Sequence, residues 1–295
     1  MHQYLIFQAY GNIDIIQECK YALIRLKSIY KNSPVIPGVI IYTDKPSAFE
    51  VFKAVLPITI EEIDDVKIAL WRGKIDFVHR VKIEIIKDAL KKYAGKAIYM
   101  DTDTYCKTML SPLFEAISPS QVFFHCNEGT ISNPGNLHIK KWKKFLSQKK
   151  LPFLTEPDPL QITMWNAGVI ALDESHLLLL DAVLEITDKL YPLFPKHTVE
   201  QFAFSYTFQK AAVKITPAAP YIFHYWNLKE FRLLLADFFA NNRSADVNTL
   251  IDVSEQILPE QIVDAKLKFQ NASGVTRLFK KMSGNEWKIG NYTIY

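Results

Sequence analysis

The run Lys96-Ala97-Ile98-Tyr99-Met100-Asp101-Thr102-Asp103-Thr104 decides how the rest of the chain is read. Its apolar part lies close behind a helical pattern that ends at Gly95, so it reads as a central strand of an α/β sheet. Ligands of such sheets collect at the carboxyl ends of the strands. Asp101 and Asp103 stand at that end, where the chain leaves the sheet and successive side chains need not alternate between its faces. Both carboxylates could therefore reach one hard divalent cation, at about 2.0–2.2 Å for an ion of the size of Mg²⁺. The plainer reading of Asp-Thr-Asp is a polar turn after a strand, and the spacing alone does not choose between the two.

A chain of 295 residues can hold one large α/β domain or two small ones, and either buries a sizeable core. Nearly half the residues are apolar, 13% are aromatic and only 10 are glycine, a composition that excludes a disordered or linker-rich protein. The net charge of +4 is too small to argue for nucleic acid, although it would not repel an anionic substrate. Cys19, Cys106 and Cys126 form no Cys-x-x-Cys or Cys/His ligand spacing, and read as ordinary buried thiols they suit a reducing compartment. No basic segment with an apolar stretch precedes the first strand and no apolar run approaches a membrane span, so the expectation is a soluble, cytoplasmic protein.

In chain order, residues 4–9 read as a strand, Tyr10-Gly11-Asn12 as a turn and 13–30 as a helix, the opening of a nucleotide-binding α/β unit. The turn has neither dinucleotide-fingerprint nor P-loop spacing. A second strand over 39–42 ends in Thr43-Asp44, where Asp44 could accept hydrogen bonds from a ribose or base, or cap the helix opening at Pro46. An edge strand over 57–60, a solvated acidic loop over 61–65 and an amphipathic helix over 76–93 follow. Arg80 and Lys82 lie near the start of that helix, on the side of the sheet where Asp-Thr-Asp ends, and compete as phosphate contacts or as ordinary solvated cations.

Beyond the acidic pair, a short helix opens at Ser111-Pro112, 121–125 reads as a strand, 127–136 as a polar loop and 138–149 as a basic helix. Residues 151–159, with three prolines, form an irregular connection that could cover a site. Residues 164–172 read as one apolar strand carrying Asn166 and Gly168, and a glycine within a strand often marks close approach of a ligand or a second backbone. Asn166 could equally be a satisfied core amide. Helices are expected over 173–191 and from Thr198-Val199-Glu200-Gln201, where Glu200 could serve plain capping. Short strands near 213–216 and 221–223 lead to His224 and Lys229. The remainder reads as helical with a basic end: from Lys266 onward there are six Lys or Arg against one acid, Glu286. That end is either a face for peripheral contact with an anionic membrane or acceptor, or a solvated tail.

These pieces, in this order, resemble the GT-A fold nucleotide-sugar glycosyltransferases. The closest match is the family 8-like branch that includes glycogenin and bacterial lipopolysaccharide galactosyl- and glucosyltransferases. The resemblance rests on Asp101-Thr102-Asp103 after a helix with basic residues, on Trp165-Asn166-Ala167-Gly168-Val169, on Glu200-Gln201 heading a helix, and on His224 with Lys229. It implies a Rossmann-like mixed α/β sheet flanked by helices over residues 1–230, and a helical carboxyl-terminal extension over 231–295 packed on or beside it. It also implies that Asp101 and Asp103 bind Mn²⁺ or Mg²⁺ against the diphosphate of the donor, with His224 as third protein ligand. A set of two carboxylates and an imidazole suits Mn²⁺ better than Ca²⁺. By the same resemblance Asn166, Glu200 and Gln201 line the donor-sugar pocket. Ala9, Tyr10 and Asp44 hold the nucleoside, and Arg80 or Lys82, with Lys229, the diphosphate. One departure stands out: the family's His-x-x-Gly-x-x-Lys-Pro-Trp ending is here His224-Tyr225-Trp226-Asn227-Leu228-Lys229 with no Pro-Trp after it. Lys229 is accordingly a weaker match than His224.

The implied reaction moves a hexose from a nucleoside diphosphate sugar, with uracil the favoured base, to a hydroxyl of a carbohydrate or lipid-linked saccharide acceptor. Gln201 and Asn166 fit retention of configuration, while Glu200 could serve as the carboxylate base that inversion needs. A sugar-phosphate nucleotidyltransferase is the competing enzyme, disfavoured because Tyr10-Gly11-Asn12 is a poor triphosphate loop. A non-catalytic nucleotide-sugar or carbohydrate binding protein is the competitor from another class.

Overall fold

The computed structural model describes residues 2–256 and 259–292; residues 257, 258 and 293–295 of the expected carboxyl-terminal extension lie outside the described residues. Tyr4, Leu5, Ile6 and Phe7 are all buried in β1 (Gln3–Gln8), apolar on both faces as a parallel strand sandwiched between helices must be. Asn12 accepts the Asp14 N–H and starts α1 (Ile13–Ile29). Next come β2 (Gly38–Thr43) and the edge strand β3 (Ile58–Glu62), joined through two short 3-10 turns. The acidic stretch expected as a loop instead continues β3 to Glu62 and opens α2 (Asp65–Arg72), because Asp64 accepts the Lys67 N–H and caps it. The next helix, α3 (Arg80–Tyr93), starts four residues later than the apolar pattern suggests, since Asp76 has a φ of +49° that no α-helix can include.

α3 leaves through Ala94 and Gly95, both at positive φ, into β4 (Lys96–Met100). At Gly95, with φ +90°, a Cβ would also run into the His2 carbonyl oxygen, which itself accepts the Lys96 N–H. Gly95→Ala is therefore expected to lower stability by about 1–3 kcal/mol, read as a lower midpoint in urea.

The chain continues through β5 (Thr104–Cys106), α4 (Ser111–Ala116), β6 (Gln121–Phe124), β7 (Asn127–Thr130) and α5 (Leu137–Gln148). The expected single strand over 164–172 is two, β8 (Thr163–Trp165) and β9 (Val169–Asp173). They are separated by a turn in which Asn166 Oδ1 accepts the Gly168 N–H. Then follow α6 (Leu177–Leu190), α7 (Val199–Lys210), β10 (Lys214–Pro217), β11 (Ile222–His224), α8 (Phe231–Asn241), α9 (Val247–Ser254), α10 (Pro259–Gln270) and α11 (Gly274–Met282).

Seven strands form one mixed sheet in the order β10-β6-β9-β4-β1-β2-β3, in which β9 runs against both its neighbours and the others share one direction. A mixed α/β sheet flanked by helices is thus the observed class. One face is covered by α1, α8 and α9, the other by α3, α6 and α7. α7 is buried from Val199 to Phe208 whatever the side-chain direction, as a helix enclosed on all sides. Residues after 230 share the core of the sheet: Phe231, Leu234, Leu235 and Phe238 pack with Tyr21, Leu23 and Leu26 of α1. Arg232 clamps the buried Glu18 at 2.8 Å. Among the described residues no helix is long and apolar enough to cross a membrane.

Candidate functional site

Two backbone pairings assemble the site. Where β4 ends and β9 begins, Met100 pairs with Val169 and the Asp101 N–H donates to the Gly168 carbonyl at 2.8 Å, so the acidic run meets the Asn166-Ala167-Gly168 turn directly. Separately, β11 pairs antiparallel with β5, placing His224 opposite Thr104, and the Tyr225 N–H donates to the Asp103 carbonyl at 3.0 Å. A strand 120 residues downstream thereby carries His224 to the carboxyl edge of the main sheet. One ligand atom from each of Asp101, Asp103 and His224 lies within 4.8 Å of the others.

The hydrogen bonds around His224 test whether this trio fits a cation. Asn166 Oδ1 is identified as the amide oxygen because it accepts the Gly168 N–H at 3.0 Å. Nδ1 of His224, 3.2 Å from the same oxygen, must then be the protonated nitrogen. That leaves Nε2 with a lone pair directed at Asp103 Oδ1, 3.1 Å away. A lone pair facing a carboxylate is repulsive unless a proton or a metal ion lies between them, and a second partner that fixes the ring's tautomer is the usual support of a metal-binding histidine. The donor set fits Mn²⁺ or Mg²⁺, with Mn²⁺ the better match to the imidazole.

Two lysines balance the carboxylates. Lys82 Nζ sits 3.0 and 3.1 Å from the two Asp101 oxygens and 3.0 Å from the Ala167 carbonyl, and it is only 4% exposed. Burial alone would lower its pKa, but Asp101 and Glu200 outweigh it and keep the ammonium charged. Lys229 reaches Asp103 Oδ2 at 3.2 Å from a largely exposed position. Burial would raise the Asp103 carboxyl; with a proton between it and Nε2 of His224, that imidazole and the Lys229 ammonium reverse this and hold it well below the usual carboxylate range.

Asn166 and Gln201 are tied together by Glu128, which accepts Asn166 Nδ2 at 3.0 Å and Gln201 Nε2 at 2.7 Å. Glu200 lies beside them with Oε1 3.8 Å from Lys82, while Oε2 is buried without a hydrogen-bond partner among the described residues. Burial is the main reason its carboxyl titrates above the ordinary range. These groups line a cavity of about 300 Å³ together with Trp226. A cavity of about 410 Å³ between α6 and α7 is more apolar and has no comparable convergence of charged groups.

Not every residue singled out in the sequence arrives there. Arg80 points into the α3/α6 contact, where Asp188, Glu84 and the Trp71 carbonyl occupy its guanidinium at 2.7–3.2 Å, so Lys82 alone of the two reaches the cavity. Ala9, Tyr10 and Asp44 stand at the same edge of the sheet but outside the cavity lining. Asp44 accepts the Gly11 N–H on both oxygens at 3.2 Å, and no side chain caps the 3-10 turn at Pro46. Ala9 donates its N–H to the Tyr42 carbonyl.

Several residues had no signal in the sequence. Glu128 comes from β7, inside the stretch expected as a polar loop, and reaches Asn166 only because β7 pairs with β8. His79, His138 and His197 meet at the mouth of the cavity, with ring centroids 6.4 Å apart for His79 and His197 and 5.1 Å for His138 and His197. Burial and the two neighbouring imidazoles depress the His197 pKa. Behind His224, burial and then His224 itself push His125 down to about 3, so it packs as a neutral ring.

No family model matches the chain, and no curated protein matches it. Among solved structures 208 chains match. One is the apo form of mouse xyloside xylosyltransferase 1, with a TM-score of 0.47 and 14% sequence identity over 74% of this chain and 85% of that one.

Proposed function

We propose that the protein is a metal-dependent glycosyltransferase that moves a hexose from a nucleoside diphosphate sugar, a UDP-sugar by the resemblance of its motifs, to a hydroxyl of a carbohydrate or lipid-linked saccharide. The observation that carries this is the convergence of Asp101, Asp103 and the oriented lone pair of His224 at the carboxyl edge of the sheet. An ion of Mn²⁺ or Mg²⁺ held by these three supplies positive charge against the departing diphosphate. Lys82 and Lys229 add fixed cations on the same side, where charge gathers as the glycosidic bond breaks. Glu200 Oε2, buried and unpaired, accepts a sugar hydroxyl. The Asn166 and Gln201 amides, held by Glu128, are the neutral groups at the sugar, and with Glu200 engaged by Lys82 the reaction runs with retention. Trp226, half exposed at the rim, gives the acceptor an apolar face. Ala9, Tyr10 and Asp44 hold the nucleoside beyond the cavity.

The test is release of nucleoside diphosphate from a panel of UDP-hexoses with Mn²⁺. The expected result is turnover that excess chelator abolishes and that Asp103→Asn lowers by about 10²-fold or more, with the circular dichroism spectrum unchanged. Full activity in chelator would sink the reading. Pyrophosphate release from a sugar phosphate and a nucleoside triphosphate would replace it by nucleotidyl transfer.

A further inference from the structure

α11 differs from the other α-helices of the described chain in burying none of its residues. Val275, Leu278, Phe279 and Met282 recur at i, i+3, i+4 and i+7 and so form one stripe. All four are exposed, Phe279 at 68% and Met282 at 78%. Arg277, Lys280 and Lys281 occupy the opposite face, and the helix contains no acidic residue. Large apolar side chains grouped on one face in this way mark a contact surface more often than chance exposure.

The flanks show that α11 is held out from the body of the protein. On one side α10 buries Ile262 and Val263 in the core, and its Lys266 ammonium bonds the Asn227 carbonyl at 2.6 Å and Glu230 at 2.8 Å. On the other side Trp287, Ile289 and Tyr292 pack back against the same core, with Lys266 lying 5.3 Å over the Trp287 ring. A helix anchored at both ends with its apolar stripe outward is displayed by the fold, unlike a frayed tail.

We propose that α11 is a docking helix for an anionic lipid surface, lying in the plane of the interface with the Val275-Leu278-Phe279-Met282 stripe among the acyl chains. The charge pattern of the helix selects this occupant. Lys and Arg on the polar face, with Lys268 and Lys288 on the flanking segments, complement acidic headgroups, and their long aliphatic stems let them reach the headgroups while the stripe is immersed. Stripe-to-stripe pairing with a second copy would cover the apolar residues but leave the basic face, on a helix with no acidic residue, without a counter-charge. The proposal does not depend on the donor chemistry of the cavity, so each can fail alone.

The experiment is co-sedimentation of the full chain with phosphatidylcholine vesicles and with mixed phosphatidylcholine–phosphatidylglycerol vesicles, at low and high salt. Binding is expected to the mixed vesicles only, and to weaken with salt. The double variant Lys280→Ala, Lys281→Ala should bind roughly twenty-five-fold more weakly, about five-fold for each cation lost near a charged surface. The double variant Leu278→Ser, Phe279→Ser should lose binding while keeping the wild-type thermal midpoint, because neither side chain is in the core. Three results would overturn the proposal: no binding to the mixed vesicles, wild-type binding by either double variant, or a concentration-dependent dimer that Phe279→Ser dissolves.

Discussion

Gly168→Ala is expected to lower the affinity for Mn²⁺ by about 10²-fold, the upper range for disturbing a group that orients a metal ligand. A Cβ at this position would overlap the imidazole of His224, from Cε1 to Nδ1. The backbone cannot back away, because the Gly168 carbonyl takes the Asp101 N–H and its own N–H donates to Asn166. The ring has to yield, and it is itself enclosed: His125 stands against it at 5.1 Å and Trp226 at 5.0 Å between centroids. Moving it breaks the bond from Nδ1 to Asn166 and takes Nε2 away from Asp103, so the variant loses the oriented lone pair while both carboxylates remain. Titration calorimetry with Mn²⁺ measures this directly. Gly135→Ala, where a Cβ meets nothing within 4 Å, is the control and should bind as the wild type does. Wild-type affinity in Gly168→Ala would show that His224 does not ligate the ion.

The glycine's role also shows which parts of the site a sequence can disclose. Asp101 and Asp103 were legible because an apolar strand ending in carboxylates has a chemical meaning at its carboxyl end. Gly168 was legible as a point of close approach by a ligand or a second backbone, and what its missing Cβ leaves room for is the ring of His224. The choice between Arg80 and Lys82 was not legible, since residues two apart on a helix point to opposite sides and only the observed start of α3 decides which one faces the sheet. Arg80 instead locks α3 to α6 through Asp188. Glu128 was hidden for a different reason: β7 is four residues with little apolar character, and its existence as a strand depends wholly on pairing with β8. The three histidines at the cavity mouth come from segments far apart in the chain, and no local pattern announces their meeting.

The misread fold elements follow the same division. α2 and the late start of α3 are set by single residues: the Asp64 cap opens a helix in a stretch that reads as a solvated acidic loop, and the positive φ at Asp76 delays α3 against an apolar periodicity that begins there. The split of residues 164–172 into two strands is set by one side chain, Asn166, turning to accept a backbone N–H two residues on. At Asp64 and Asn166 a side-chain hydrogen bond, and at Asp76 a backbone conformation, overrode what the pattern implied, and the break at Asn166 is what lets the Asn166-Ala167-Gly168 turn line the cavity.

Lys82→Met tests the charge balance of the cavity, with an expected loss of about 3–5 kcal/mol at pH 7.5, the cost of removing one partner from a buried ion pair. Met matches the buried stem and leaves Asp101 and Glu200 without their shared cation, Glu200 almost wholly buried and with Oε2 already unpaired. Burial holds the Glu200 carboxyl above its unfolded value even with the lysine present. Removing the lysine raises it further. A carboxyl whose folded pKa exceeds its unfolded one binds its proton more tightly in the native state, so its ionisation opposes folding. The deficit of the variant should therefore be largest above the raised folded pKa, shrink as pH falls through it, and be smallest near the unfolded value of about 4.3. Urea denaturation of wild type and variant at intervals from pH 7.5 to 5 measures the difference. A deficit that stays constant over that range would mean that lost packing outweighs charge at Lys82, and a variant as stable as the wild type at pH 7.5 would mean that Glu200 is not held ionised by Lys82 at all.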